Sequence, residues 1–170
     1  MRKKQPFNVA RHLPSLYRYA RLLTRDENVA EELVQDTLVA ALAGSHTFDR
    51  SRSLRGWLFA ILHNRFISDR RKAVVRTKAL AEIETGDAAS PPNQEVALYL
   101  QQIQQIFNAL PDDQRAALHL VVVEGLRYRE AAEALGIPIG TLMSRIARAR
   151  ARLRDPAGIP RLRVVNSEAV

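Results

Sequence analysis

The chain contains no cysteine, which excludes disulfides, thiolate metal sites and cysteine nucleophiles. Glycine is scarce, with 7 residues, and aromatics make up only 6%. With Ala, Leu, Arg and Glu abundant, that balance favours helix over sheet. No apolar run approaches the roughly 18 residues of a membrane span. The basic start MRKKQPF is not followed by the apolar core of a signal peptide. The histidines, His12, His46, His63 and His119, lack metal-ligand spacing, and no Gly-rich phosphate loop occurs. The acid pairs Glu31/Glu32 and Asp112/Asp113 are adjacent residues, which point about 100° apart on a helix and cannot clamp one substrate together. Neither an enzyme active site nor a resident metal or cofactor is expected, and the protein is expected to be soluble and cytoplasmic.

What is present is positive charge, unevenly placed. The formal net charge is +8 over 170 residues, of which 46% are hydrophobic, ample for packed cores. Residues 1–72 carry 14 Lys/Arg against 7 Asp/Glu, residues 73–95 carry 2 against 4, and residues 96–170 carry 10 against 7. Two basic ends joined by a slightly acidic middle suggest two separate contacts with a polyanion.

Helical periodicity organises both ends. Leu13, Leu16, Ala20 and Leu23 form one stripe beginning beside Pro14. Asp26 can cap a second helix with Ala30, Leu33, Val34, Thr37, Leu38 and Ala41 inward, which leaves Glu31, Glu32, Gln35 and Asp36 on or near the other face. Gly44 ends it, and a polar loop, Ser45 to Arg52, carries one aromatic, Phe48. Ser53 can cap a third helix with Leu54, Trp57, Leu58, Ile61 and Leu62 inward, running out into Asp69, Arg70, Arg71 and Lys72. Residues 73–92 lose periodicity, apart from some helical signal near Lys78 to Ile83, and end in linker composition, TGDAASPPN. A further helix carries Val96, Leu100, Ile103, Phe107 and Leu110; after Pro111, Asp112 is expected to cap the next, whose run LHLVVVEG reads as a buried centre. The tail after Pro156 has no pattern. The expectation is all-α: two small helical domains, 1–72 and 93–155, joined by a linker, 73–92, with a tail at 156–170.

The strongest local signal is YREAAEALGIPIGTLMSRIARARARLR, from Tyr128 to Arg154. Ala132, Gly136 and Leu142 have the spacing at which a helix-turn-helix needs a small residue at the crossing, a glycine in the turn and an apolar residue beneath the second helix. Pro138 suits a first helical turn. Thr141, Arg145, Arg148 and Arg152 share a face beside the packing face of Leu142, Ile146, Ala149 and Leu153. Arginine bridges guanine O6 and N7 or clamps a phosphate, so such a stripe suits duplex DNA. The alternative is a solvated Ala/Arg helix. In the first domain, Arg65, Arg70, Arg71 and Lys72 could follow a phosphate backbone, with Phe48 and Asn64 at an unstacked base. Phe48 could equally fold onto the core, and Trp57, a possible stacking platform, sits on the apolar stripe.

With these residues in hand, the chain resembles a bacterial RNA polymerase sigma factor of the extracytoplasmic-function class (group IV), over about residues 10–154. AEELVQDTLVAAL resembles the helix that grips the polymerase clamp. LRGWLFAILHNRFISDRRK resembles the helix that opens and reads the −10 element. LPDDQRAALHLVVVEGLRYREAAEALGIPIGTLMSRIARARARL, with GT-x-x-SR-x-x-RAR from Gly140 to Arg150, resembles the domain that reads the −35 element. The resemblance implies that Glu32, Gln35 and Asp36 face the polymerase. It implies that Phe48, Asp49, Ser53 and Asn64 hold a flipped base of the melted strand, with Arg65, Arg70, Arg71 and Lys72 on its phosphates. It places Thr141, Ser144, Arg145 and Arg148 in the major groove, with Arg127 and Arg152 toward phosphate. Met143 departs from the pattern, standing where relatives often carry a basic residue, and Ile139 adds an apolar side chain beside the turn.

The implied partners are core RNA polymerase, promoter DNA and an anti-sigma factor. LPSLYRYARLLTRD and WLFAILHN resemble the alphaproteobacterial general-stress subgroup, which implies sequestration by a small anti-sigma protein. No appended domain is visible, so control is expected from outside. Promoter elements about one and a half duplex turns apart lie roughly 50 Å from each other, and a linker of residues 73–92 reaches at most roughly 66 Å. Two other functions fit parts of the pattern: a decoy that titrates an anti-sigma factor, and a stand-alone helix-turn-helix regulator.

Overall fold

The computed structural model describes residues 7–77, 105 and 107–154. Among these, every regular element is helical. Most of the expected linker, the greater part of the helix expected over residues 96–110, and the tail at 156–170 lie outside the described residues.

The first lobe is built from three helices. After a short 3-10 turn, Ala10–His12, α1 spans Leu13–Thr24 with Pro14 in its first turn, where a missing N–H costs nothing. It stops at Arg25, which takes a left-handed conformation (φ 57°) and returns its N–H to the Arg21 carbonyl at 3.0 Å. Asp26 then opens α2, Glu27–Ala43, its Oδ1 accepting from the Val29 N–H at 2.9 Å. Gly44 closes α2 as expected; a side chain there would press to 3.1 Å from the Ala40 carbonyl. Ser53 caps α3, Leu54–Thr77, accepting from the Gly56 N–H at 3.2 Å. The helix runs beyond residue 72, where the first domain was expected to end. Leu16, Ala20, Leu33, Val34, Leu58 and Leu62 are buried between the three helices, whereas Leu13, expected on the same stripe, is exposed at the α1 entry. Thr37, also buried, is satisfied by donating to the Leu33 carbonyl at 2.7 Å.

The second lobe contains α4, Asp112–Leu118, a π turn, His119–Val123, α5, Tyr128–Leu135, and α6, Ile139–Arg154. Three local expectations are corrected here. Asp112 is the first residue of α4 and not its cap: Pro111 holds that place without a side-chain bond, and the Asp112 carboxylate turns to Arg115 at 2.6 Å. Pro138 precedes α6, its carbonyl accepting the Leu142 N–H at 3.1 Å. The run LHLVVVEG is only partly a buried centre, since Val122 and Val123 are 58% and 53% exposed. There the helix widens, Glu124 N–H bonding back to the His119 carbonyl, and Glu124 takes the inward position instead of a valine.

The helix-turn-helix forms as its spacing demands. Gly136 adopts a left-handed φ of 64° between α5 and α6, and the Ile137 N–H returns to the Ala132 carbonyl at 3.0 Å. Ala132, Leu142, Ile146 and Ala149 are buried at the crossing. Arg115, 3% exposed, ties the start of the lobe together by donating to the Asn108 and Leu110 carbonyls as well as to Asp112.

The lobes are not held apart. α3 lies along α5 and α1 touches α4, so the buried residues of both form one continuous cluster. Tyr19, fully buried, lies between His63 of its own lobe and His119 of the other, with ring centroids at 6.2 and 5.6 Å.

Candidate nucleic-acid and polymerase interfaces

At the start of α3 the loop folds around an aromatic cluster. Phe48 packs 5.0 Å from Trp57 and 5.9 Å from Phe7, ring centre to ring centre, so both rings are half-buried and neither is a free stacking platform. Asp49 shapes the turn by accepting from the Ser51 N–H at 2.9 Å, a bond that holds its carboxyl below the usual range. Phe48, Asp49 and Trp57, together with Ser53, Gly56 and Ala60, line a cavity of about 220 Å³. Its far wall belongs to the other lobe: Glu130 and Glu133 of α5, with Glu133 paired to Arg52 at 2.9 Å.

Along α3, Ala60, Asn64 and Ser68 follow one another at helical spacing, so Asn64 continues the line of the cavity and is exposed. Arg71 is exposed on the same side, with no acidic partner among the described residues. The other basic residues are engaged: Arg65 with Asp36 at 3.5 Å, Lys72 with Asp69 at 3.3 Å, and Arg70 across the lobes with Asp112 at 3.3 Å.

On α6 the expected stripe divides. Arg148 and Arg152 are exposed. Arg145 is drawn toward α4, its Nε 3.1 Å from Asp113, and borders a cavity of about 310 Å³ between the lobes that also touches His63, Phe66 and Arg70. Ser144 donates to the Thr141 carbonyl at 2.9 Å, so its hydroxyl serves its own helix. Arg127 is exposed at the start of α5, and its N–H is capped by Glu130 at 2.9 Å.

Glu32, Gln35 and Asp36 are all exposed on α2. They share that surface with Val29, Val39 and Leu42, large apolar side chains left in solvent, which sequence reasoning missed. Their position outside the inward stripe was the available signal.

The other omission is the junction itself. Glu124, wholly buried, accepts from Arg18 Nε and Nη2, each at 3.1 Å, and from Arg55 Nη2. Ser15 Oγ bridges the two guanidinium groups. Burial alone would raise the Glu124 carboxyl, but hydrogen bonds from Arg18, Ser15 and Arg55 outweigh it and hold the group below its ordinary value. Burial lowers His119, with Arg18 adding to the effect against Glu124, and burial with nearby Arg145 lowers His63 to about 4. Both rings are therefore neutral at pH 7, and the Tyr19 hydroxyl shares a hydrogen bond with His63 Nδ1 at 3.0 Å.

Proteins of known class are similar to this chain over most of its length. Over 147 residues the chain is 38% identical to the ECF RNA polymerase sigma factor EcfG of Rhodopseudomonas palustris, covering 83% of this chain and 78% of the relative. The chain belongs to the ECF RNA polymerase sigma factors. Within this sigma factor, residues 9–63 match the family described as the sigma2 domain of PhyR, and residues 100–153 match sigma-70 region 4. Among solved structures, it is similar to the sigma factor RpoE in complex with the anti-sigma factor NepR from Bartonella quintana. That likeness has a TM-score of 0.75 at 37% identity and covers 90% of this chain and 96% of the other. A second is CnrH in complex with the cytosolic domain of CnrY, with a TM-score of 0.61 at 29% identity, covering 86% and 82%. A sigma factor of this family directs RNA polymerase to promoters and has no catalysis of its own. None of its described helices is long and apolar enough to cross a membrane.

Proposed function

We propose that this sigma factor acts in the cytoplasm and docks on core polymerase through the acidic and apolar face of α2, around Glu32, Gln35, Asp36, Val39 and Leu42. It reads the −35 element with α6, where Arg148 and Arg152 are exposed and Thr141, Ser144 and Arg145 flank the groove, with Arg127 toward phosphate. It holds the melted −10 strand at the cavity edged by Phe48, Asp49 and Ser53, with Asn64 beyond it and Arg65, Arg70, Arg71 and Lys72 on the phosphates. The observation that carries this reading is the placement of two cationic faces on two different lobes: Arg148 and Arg152 inside the segment that matches sigma-70 region 4, and Arg65 to Lys72 on the same helix as, and just beyond, the segment that matches a sigma2 domain.

The packed arrangement is the idle form. Glu130 and Glu133 wall the strand cavity, while Arg52 and Arg70 are neutralised by acids of the other lobe. Promoter elements roughly 50 Å apart cannot be held by lobes that share one core, so the lobes part before both elements are engaged. The kinship with a general-stress sigma factor and with a NepR-bound relative supports a small anti-sigma protein as the agent that keeps the form idle, and supports the alphaproteobacterial general-stress subgroup.

Run-off transcription with core polymerase tests the reading. A promoter-dependent product that requires this chain is expected. Failure to bind core polymerase, with retained capture of an inhibitor, would leave an anti-sigma decoy. Tight sequence-specific binding to duplex without polymerase would leave a stand-alone regulator.

A further inference from the structure

The face of α6 turned from its own lobe is not the arginine-rich one. Its inward side is Leu142, Ile146 and Ala149, all buried. Gly140, Ala147 and Ala151 are exposed, side chains too small to keep a groove floor at a distance. Beside them stand Ile139 and Met143, 47% and 52% exposed, one helical turn apart and outside the residues packed on the core. Ser144 and Arg145 are meanwhile occupied by Thr141 and Asp113 of the same lobe, so parting the lobes does not free them. Gly140 adds an independent sign. Its backbone is ordinary helix and a side chain there would meet nothing within 4 Å, so no packing inside the molecule requires a glycine. Glycine is costly in a helix, and close approach of another body is the remaining use for it.

Arg150 and Arg148 flank this strip on its two sides, with Arg152 one turn beyond Arg148; all three are exposed and without an acidic partner among the described residues, so the occupant they complement is a polyanion. The major groove of duplex DNA presents one apolar feature, the thymine C5-methyl group, and an unbranched thioether adapts well to it. We propose that Met143, flanked by Ile139, is a specificity-determining residue that reads a thymine methyl in the upstream promoter element. The proposal rests on the placement of α6 in that element. It adds a contact by which a neutral side chain selects a base where an arginine or lysine would select guanine or a phosphate.

The test uses holoenzyme reconstituted from the full chain and core polymerase. Duplexes are selected from a library randomised upstream, and each thymine of the selected element is then replaced by deoxyuridine, which removes only the methyl. At one position the replacement should weaken wild-type binding about fourfold, the worth of one buried methyl. Met143→Ala should abolish that penalty, while Arg152→Ala weakens all duplexes alike and keeps it. Met143 is exposed, so its variant should melt with the wild type. If no thymine shows a methyl penalty, or if Met143→Ala retains it, the inference is overturned. Loss of inhibitor binding in Met143→Ala, with the penalty intact, would assign the strip to a protein partner and overturn it equally. Run-off transcription from the selected duplexes reports separately on the sigma-factor reading, which stands if transcription occurs whatever deoxyuridine does.

Discussion

Arg18 on α1 grips Glu124 of the opposite lobe through two parallel hydrogen bonds, Nε to Oε1 and Nη2 to Oε2, both 3.1 Å. The fork geometry suits guanidinium and carboxylate, and Arg55 adds a third donor to the same group. The carboxylate is wholly buried whereas both arginines keep contact with water. The pair therefore gives less net stability than its geometry suggests, but breaking it from one side leaves charge behind.

Glu124→Ala should consequently loosen the junction of the lobes without melting either. Apparent stability is expected to fall by about 2 kcal/mol, below the value for a fully buried pair because the arginines can rehydrate. The radius of gyration from X-ray scattering should rise, and promoter binding with core polymerase should strengthen. An unchanged radius together with unchanged binding would show that this carboxylate does not govern the packing.

Buried His119 and half-buried His63 give that packing a pH dependence of definite sign. His63 is lowered from 6.5 to about 4, and His119 is lowered too, so in the unfolded or parted chain they take up protons first as pH falls. Their contribution is complete above pH 6.5 and is lost progressively toward pH 4, by at most about 3 kcal/mol for His63. Glu124, also lowered, acts in the same direction at the acid end: its contribution is present above its unfolded value and disappears as pH falls through the folded one. The melting temperature should thus be flat near neutrality and decline below pH 6.5. In His63→Phe the decline should be shallower; a flat profile in the wild type from pH 7.5 to 5 would contradict the account.

Charge reversal on the recognition helix separates DNA reading from docking. Arg148→Glu with Arg152→Glu should cut promoter-dependent transcription at least tenfold while polymerase binding persists, since both side chains are exposed. Replacing the same two residues by alanine should flatten the salt dependence of DNA binding by about two units of slope. An unchanged slope would mean that neither residue meets phosphate.

The α2 surface is testable without touching DNA. Val39→Asp and Leu42→Asp should each reduce core polymerase affinity by an order of magnitude in a competition assay. Their effect on stability should stay within about 0.5 kcal/mol, because both side chains are already in solvent. Full retention of polymerase binding would remove this face from the docking surface.

Helix positions, the Asp26 and Ser53 caps, the Gly44 stop and the Gly136 turn were legible because each depends on residues within a few positions of one another. The Asp112 cap failed on the same scale: its carboxylate found Arg115 and Arg70 instead of a free N–H. Arg145 and Phe48 were identified by type, yet whether they face solvent depended on Asp113 and on Trp57, neither of which periodicity could pair with them.

By itself, then, the sequence determined an all-helical chain, the two units that bear positive charge and the helix-turn-helix, since spacing, caps and glycine conformations are local properties. Tertiary structure alone decided that the lobes close on each other. That contact brings together Arg18 and Glu124, 106 positions apart, and buries a carboxylate where the apolar pattern called for valine. Its strength depends on desolvation and on donors from two helices of the other lobe, quantities that exist only once the chain has folded.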